Sequence, residues 1–163
     1  MQRVLLTGMS GTGKSTVISA LAARGYKAID TDSDEWSEWV ACGDGSAGPA
    51  AWDWIWREDR IQRLLSTDDA EVLFVSGCKA NQGLFYPQFD QIVLLSAPAP
   101  VLLDRLAART NNPYGKLPHQ RAQVLQYLDT IEPLLRRGAT LEVDTRVPVE
   151  QVVATILLLI ERA

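Results

Sequence analysis

The chain has 163 residues, of which 47% are hydrophobic and 22% are charged, so its length and composition predict a single globular domain, residues 1–163. The net charge of −4 and the lack of a long basic run argue against nucleic acid as a partner, because a phosphate backbone is bound by clustered Lys and Arg. A small phosphorylated ligand needs only a few positive groups and stays compatible with this charge.

The two cysteines, Cys42 and Cys78, form no C-x-x-C pair and show no metal-ligand spacing. Reduced thiols of this kind are typical of a cytoplasmic protein, which is the localisation we expect. The most apolar stretch, residues 152–160, is too short to cross a bilayer, so no membrane partner is expected.

Short apolar runs alternate with helical patterns along the chain. Strands are predicted at residues 3–7, 27–30, 71–76, 91–96 and 140–144. Helices are predicted at residues 14–24, 98–109, 118–137 with a bend at Pro133, and 149–162. Buried strands that alternate with helices indicate an α/β protein with a parallel sheet covered on both faces.

A phosphate-binding motif follows the first predicted strand. Residues 8–15 read Gly-Met-Ser-Gly-Thr-Gly-Lys-Ser and match the pattern G-x-x-x-x-G-K-[ST], which a random chain of this length would contain less than about once in a hundred. Its glycines let backbone N–H groups approach phosphate oxygens, and the following helix directs its positive end at the same anion. Lys14 is expected to reach the β- and γ-phosphates of ATP, and Ser15 to offer its hydroxyl to Mg²⁺. The predicted nucleotide contacts here are Gly8, Ser10, Gly11, Thr12, Gly13, Lys14, Ser15 and Thr16.

Two carboxylates, Asp30 and Asp32, close the second predicted strand, and ligands of parallel sheets bind beyond the carboxyl ends of the strands. One carboxylate would belong to the magnesium shell, and the other would orient and deprotonate an acceptor hydroxyl. The alternative is helix capping, which suits the nearby Asp34 better. The third strand ends in Ser76-Gly77 and not in a carboxylate, which favours a small kinase over a mechanical ATPase.

With this P-loop and this spacing to Asp30 and Asp32, the sequence resembles the shikimate kinase and gluconate kinase branch of the nucleoside monophosphate kinase-like superfamily, over nearly its whole length. The resemblance implies a three-layer α/β/α P-loop fold with a five-stranded parallel sheet in the order 2-3-1-4-5. It implies an acceptor-covering segment at about residues 33–62 and a lid at about residues 109–120. It further implies that Asp30 organises Mg²⁺ through water and that Asp32 binds the acceptor hydroxyl.

A polar stretch that begins at Arg109 and includes Lys116 is similar to the lid of that family. The resemblance places Arg109 against the adenine and Lys116 where the family has an arginine that closes on the phosphates, although Lys lacks a bidentate fork. Arg105, four residues before Arg109, resembles a residue at the start of nucleotide-kinase lids or belongs to a solvated basic face. Asp144 and Thr145 resemble the adenine-contacting segment after the fifth strand, with a turn role as the alternative for Asp144.

The acceptor end departs from the family pattern. Arg57 resembles the first arginine of the carboxylate clamp, but Ile131 aligns with the second, and the family's triple-glycine turn is reduced to a segment containing Gly77. Shikimate itself is therefore not the expected acceptor. Lys79, just after this turn, is predicted to be a surface lysine, with contact to the acceptor or a phosphate as the alternative, and His119 is expected to be exposed.

All five tryptophans lie between residues 36 and 56, inside the acceptor-covering segment, together with several carboxylates. This combination suits a sugar-like, nucleoside-like or cationic hydroxyl compound, with Trp36 as a predicted contact. The spacings of three and four are also compatible with two packed helices. In that arrangement about half of the tryptophans would be core residues and one or two would face the acceptor.

These features predict a kinase that transfers the γ-phosphate of ATP to a hydroxyl of a sugar-, nucleoside- or antibiotic-like molecule, with Mg²⁺ as cofactor. The predicted catalytic residues are Lys14, Asp32, Arg109 and Lys116. A nucleoside monophosphate kinase, with arginines such as Arg57 and Arg60 on the acceptor phosphate, is one alternative. A nucleotide-binding switch with little transfer activity is the other. By analogy with the family, a monomer or homodimer is expected.

Overall fold

The computed structural model describes residues 1–42 and 51–162, so residues 43–50 of the predicted acceptor-covering segment lie outside the described part. Its strands are β1 Gln2–Thr7, β2 Lys27–Asp30, β3 Ser37–Cys42, β4 Ala51–Trp56, β5 Val72–Ser76, β6 Gln91–Ser96 and β7 Leu141–Asp144. Its helices are α1 Lys14–Ala23, α2 Glu58–Leu65, α3 Ala99–Ala108, α4 Pro118–Thr130, α5 Glu132–Gly138 and α6 Val149–Glu161, with a 3₁₀ helix at Gln82–Gln88. None of these helices combines the length and hydropathy that a bilayer crossing needs.

Five strands form the predicted parallel sheet, in the order β2-β5-β1-β6-β7. Numbered among themselves along the chain, these strands have the order 2-3-1-4-5, which confirms the predicted topology. The central strands β1 and β6 are buried through most of their length, as expected for a parallel sheet with helices on both faces. The sheet therefore places the ends of β1, β2 and β5 side by side at its carboxyl edge.

Alternate side chains of the strands enter two different cores. Val4, Leu6 and Phe74 face α1 and α6, whereas Leu5 and Val75 face α2 and the 3₁₀ helix. This alternation follows from the two-residue period of a strand. A third, smaller cluster lies beneath the P-loop and consists of Met9, Leu94, Leu102 and Leu135.

The predicted bounds of the five sheet strands and of three of the helices agree with the structure to within one residue at each end. The long helix predicted at residues 118–137 is instead two helices, α4 and α5, which meet at Ile131. Pro133 explains the break, because it has no N–H for a continuing helix and is accommodated only in a first helical turn. The predicted interruption near Pro133 is confirmed, but it is a break between two helices and not a bend within one.

The largest correction concerns the tryptophan-rich segment, which is an antiparallel pair of strands and not two packed helices. Strand β3 pairs with β4 so that Trp39 lies opposite Trp54 and Ser37 lies opposite Trp56. The sequence signal was present, because Trp52, Trp54 and Trp56 recur every second residue with Asp53 and Ile55 between them. That period indicates a strand. The spacing of four is two periods of β4, from Trp52 to Trp56, and the spacing of three joins Trp39 of β3 to Trp36, which precedes that strand.

The inner end of this hairpin is anchored in the core by Trp56, which is fully buried. Its ring packs against Phe85 and Phe89, and its Nε1 donates a 2.7 Å hydrogen bond to Thr31 Oγ1. Trp39, in contrast, is 61% exposed. The two tryptophans therefore make very different contributions to folding although they belong to one hairpin.

We predict that Trp56→Ala lowers the free energy of unfolding by about 3–5 kcal/mol, because it removes a large buried side chain and leaves a cavity. Trp39→Ala is the matched control and is expected to cost about 1 kcal/mol or less. Urea unfolding followed by circular dichroism measures both changes. Equal losses for the two variants would contradict the assigned burial.

Candidate functional site

The P-loop between β1 and α1 has the backbone that a phosphate cradle requires. Gly8 has a φ of 152°, and a Cβ atom there would lie 2.4 Å from the carbonyl oxygen of Leu95. Gly13 has a φ of 96° and caps α1, with its carbonyl accepting from the N–H of Val17. Only glycine adopts these conformations without strain, so the loop can turn and direct its N–H groups inward. The N-terminus of α1 adds its positive end to the same cradle.

Lys14 lies across this loop. Its Nζ donates to the carbonyl oxygens of Gly8, at 2.7 Å, and Met9, at 3.1 Å. Burial lowers the pKa of Lys14, and this effect outweighs the opposing influence of Cys78 and Asp32. A partly buried cation whose hydrogen-bond partners among the described residues are two neutral carbonyls is well suited to exchange them for phosphate oxygens.

A second group of polar atoms has the donor set that Mg²⁺ prefers. Ser15 Oγ donates to Asp30 Oδ2 at 2.8 Å, and Asp30 is the register partner of Ser76 in the neighbouring strand. Ser76 Oγ is buried and has no hydrogen-bond partner among the described residues. Such an orphan hydroxyl is costly unless a water or ion satisfies it. Because Mg²⁺ keeps several waters and uses one or two carboxylates together with substrate phosphates, these three residues fit the ion.

Asp32 is held at the same edge of the sheet. Its Oδ1 accepts a 2.6 Å hydrogen bond from Lys79 Nζ and a 3.1 Å hydrogen bond from Trp54 Nε1. Within the described residues, both of these side-chain bonds reach Oδ1, and the carboxylate side chain is 58% exposed. One oxygen therefore fixes the orientation of the carboxylate while the group stays open to a ligand.

Lys79 is not the surface lysine predicted from the sequence. Its side chain is only 4% exposed, pairs with Asp32 and lies with Nζ 5.3 Å from the centre of the Trp54 ring. A lysine is rarely buried unless it is paired, and here both a carboxylate and an aromatic face compensate its charge. Its position just beyond β5, at the carboxyl edge of the sheet, was the signal that could have identified it.

The surroundings of Asp32 set its ionisation. Partial burial alone would raise its pKa, but the hydrogen bond and charge of Lys79 outweigh that effect, with smaller contributions from Trp54 and Lys14. The pKa of Asp32 therefore lies below its usual value, and the group is ionised at neutral pH. Because the pKa is depressed in the folded state, the stability from this contact is present above the ordinary pKa and is lost as the pH falls.

Four tryptophans share one face of the β3–β4 hairpin. Directly opposite residues and residues two apart point to the same side, so Trp39, Trp52, Trp54 and Trp56 lie on one face. This face is turned toward the site, because Trp54 contacts both Asp32 and Lys79. The structure thus brings Trp54 to Asp32, a contact that the sequence did not predict.

The other predicted acceptor residues are placed differently. Trp36 packs with the second core, beside α2, and is not part of the tryptophan face. Arg57 donates to the carbonyl oxygen of Asp34 and to Glu38 Oε2, both at 2.9 Å. Gly77 closes the end of β5, where a Cβ atom would lie 2.5 Å from Thr31 Oγ1.

The predicted lid connects α3 to α4 and is folded on itself. Arg109 donates to the carbonyl oxygens of Asn112 and Tyr114, and its pKa is lowered chiefly by burial. Lys116 Nζ contacts the carbonyl oxygen of Ala107 at 3.3 Å, at the start of the lid. In this arrangement both lid cations are held by backbone carbonyls.

Arg105 is not part of a solvated basic face. Its NH1 donates to the carbonyl oxygen of Gly11 at 3.2 Å and to Thr145 Oγ1 at 2.9 Å. The arginine therefore joins the P-loop to the segment that follows β7. Asp144, beside Thr145, forms an ion pair with Arg146, which lowers the pKa of the carboxyl group.

Sequence comparison assigns the chain to a family. A family model described as an AAA domain matches residues 4–126, which is well over half of the chain. The chain belongs to this family. Among curated protein sequences, none matches it.

Solved structures of small P-loop kinases share the fold. The chain is similar to shikimate kinase from Acinetobacter baumannii in complex with shikimate, with a TM-score of 0.68, 19% identity and coverage of 99% of this chain and 94% of the other. For a gluconokinase from Sinorhizobium meliloti 1021 the TM-score is 0.65, the identity 23% and the two coverages 99% and 92%. For a sugar kinase from Janibacter sp. HTCC2649 the TM-score is 0.55 and the identity 21%, and the alignment covers 99% of this chain and 95% of the other. These similarities confirm the predicted resemblance. Because the sequence identities are low, the structural similarity shows a common fold and no more.

The pKa of Asp32 offers a direct test of its environment. We predict that Lys79→Met raises this pKa, because the substitution removes the hydrogen bond and the charge that stabilise the carboxylate. A ¹³C NMR titration of the Asp32 carboxyl carbon measures the shift in wild type and variant.

Lys27→Met provides the matched control, because Lys27 pairs with Asp69. This variant is expected to raise the pKa of Asp69 and to leave that of Asp32 unchanged. An Asp32 pKa that does not move in Lys79→Met would show that the ion pair does not exist in solution.

Proposed function

We propose that this chain is an ATP-dependent kinase that transfers the γ-phosphate to a hydroxyl group of a small neutral molecule. The observation that carries the proposal is the placement of Asp32, an oriented and exposed carboxylate two residues from the Asp30 that contacts Ser15 of the P-loop. A triphosphate cradle and a group able to bind a hydroxyl therefore share one crevice. The common fold with small kinases is consistent with this arrangement.

The P-loop residues have distinct roles in this proposal. Backbone N–H groups from Gly8 to Gly13 bind the phosphates, and Lys14 exchanges its two carbonyl partners for phosphate oxygens. Ser15, Asp30 and Ser76 would hold the magnesium ion. Bound there, Mg²⁺ would neutralise charge that develops on the β- and γ-phosphates.

Asp32 acts on the acceptor. Its carboxylate accepts a hydrogen bond from the acceptor hydroxyl and directs the oxygen toward the γ-phosphorus. As the new P–O bond forms and the bond to the β–γ bridging oxygen breaks, the hydroxyl proton passes to Asp32. A lowered pKa makes Asp32 a weak base, which suits a loose transition state in which the proton leaves late. Orientation is therefore its main contribution, and Lys79 is the residue that positions it.

The lid would complete the site. Arg109 is held by backbone carbonyls of the lid, and Lys116 by the carbonyl of Ala107 at the end of α3. We propose that they turn toward the nucleotide when it binds, Arg109 against the adenine and Lys116 against the phosphates. Thr145, fixed by Arg105, and Asp144 would border the adenine. Arg105 then couples the adenine side of the site to the P-loop.

The acceptor is proposed to be neutral. Among the described residues, two cations on the acceptor side have a carboxylate partner, since Lys79 pairs with Asp32 and Arg57 with Glu38. Arg60, the other arginine considered for a monophosphate acceptor, donates to the carbonyl oxygen of Glu35. A carboxylate or phosphate on the acceptor would have to displace one of these contacts. The partner we propose is therefore a neutral polyol, such as a sugar or a nucleoside.

The activity test measures ADP formed from Mg-ATP with neutral sugars and nucleosides, against shikimate, gluconate, AMP and CMP. We expect only neutral acceptors to support transfer. Asp32→Asn should lower the transfer rate at least about 100-fold, because orientation and proton transfer are lost together. The Kd for the ATP analogue should stay within about twofold of wild type, since Asp32 does not belong to the P-loop.

Asp34→Asn is the matched control, as an exposed carboxylate two residues further along the chain, and should retain activity. Lys14→Met should instead weaken nucleotide binding. Fastest transfer to AMP or CMP would support a nucleoside monophosphate kinase. Tight nucleotide binding with no transfer to any compound would support a switch, and either result would contradict the proposal.

A further inference from the structure

The outer part of the tryptophan face is uncovered on the side of the site. Trp39 is 61% exposed and Trp52 is 58% exposed, although both lie on the hairpin face that carries the contact to Asp32. The opposite face of the hairpin carries the charged side chains of Glu38 and Asp53. A contiguous patch of large exposed aromatic side chains beside a ligand site is typical of a binding surface.

The uncovered tryptophans are continuous with the proposed acceptor site. Trp54 is the link, because its Nε1 donates to Asp32 and its ring stacks against Trp39 at a centroid distance of 5.0 Å and an interplanar angle of 43°. Trp52 lies two residues before Trp54 in β4, which corresponds to about 7 Å along a strand. The small Ala41 is directly opposite Trp52 and shares its face of the hairpin.

From this arrangement, and resting on the proposed kinase function, we infer that Trp39 and Trp52 form a second acceptor subsite that binds a neutral ring one ring-length away from the reacting hydroxyl. The acceptor is then a polyol that carries a second ring with a flat, apolar face. A planar ring stacked on a tryptophan contributes binding that does not depend on specific hydrogen bonds. A nucleoside and an aryl glycoside both combine a polyol ring with a second, flat ring of this kind.

The test compares two-ring probes with one-ring counterparts. Uridine and adenosine are compared with methyl β-riboside, and p-nitrophenyl β-glucoside with methyl β-glucoside. Each is titrated calorimetrically into the protein saturated with Mg²⁺ and a non-hydrolysable ATP analogue. We expect at least one two-ring probe to bind about 5- to 100-fold more tightly than its counterpart, which is the range of one stacking contact. The series that binds distinguishes a base from an aryl aglycone.

Two variants locate the effect. Trp39→Ala and Trp52→Ala should each reduce the preference for the second ring by about fivefold or more, and leave the Kd of the one-ring probe unchanged. Leu158→Ala is the matched control, because Leu158 is 53% exposed on α6, which packs against α1. This control should retain the full preference. Unfolding measurements on the same samples confirm that both tryptophan variants are folded.

Several results would overturn the inference. They are the absence of binding by every two-ring probe, equal affinity for one-ring and two-ring probes, or a preference that survives both tryptophan substitutions. The proposed function is read separately, as ADP formed with the same compounds. Transfer without a ring preference would contradict the second subsite alone, whereas ring-dependent binding without transfer would contradict the kinase function alone.

Discussion

Parallel strands end on the same side of a sheet, and this constraint determines where the P-loop and the charged groups around Asp32 lie. The ends of β1, β2 and β5 provide the P-loop, the pair Asp30 and Asp32, and Lys79, although these residues are far apart in the chain. The close contact of Gly8 with the Leu95 carbonyl fixes the P-loop against the end of β6. The sheet thus brings the P-loop and Asp32 to one edge, and side-chain contacts such as that from Lys79 then orient the carboxylate.

The contact between Asp32 and Lys79 joins that edge to the tryptophan hairpin. Lys79 is almost fully buried, and burial of its charge would be strongly destabilising without Asp32. The Trp54 ring contacts Lys79, and its N–H donates to Asp32. Three elements therefore meet at one carboxylate: β2, the segment after β5, and β4. Because Trp54 both contacts Asp32 and stacks on Trp39, the position of the reacting hydroxyl and the choice of acceptor are physically coupled in our account.

The parts of the fold that follow local rules were predictable from the sequence. The sheet strands have clear apolar runs, and the P-loop motif requires a strand before it and a helix after it, so the strands and the cradle were predicted from the pattern. The order of the strands was implied by the family resemblance. The hairpin was missed because Trp39 and Trp52 are exposed tryptophans, which a burial-based interpretation assigns to a core. The burial of Lys79 was missed because it depends on Asp32, 47 residues earlier in the chain. Contacts of that range arise from tertiary structure and leave little trace in local pattern.

The central claim is that this site transfers the γ-phosphate of ATP to an alcohol oxygen of the acceptor. The most direct measurement uses ATP labelled with ¹⁸O in the γ-phosphate, incubated with the protein and a mixture of small metabolites, followed by mass spectrometry of all products. Our account predicts a labelled phosphate ester of a neutral hydroxyl compound. It also predicts that this ester disappears with Asp32→Asn. Label recovered only as inorganic phosphate, or only in a nucleoside diphosphate, would contradict it.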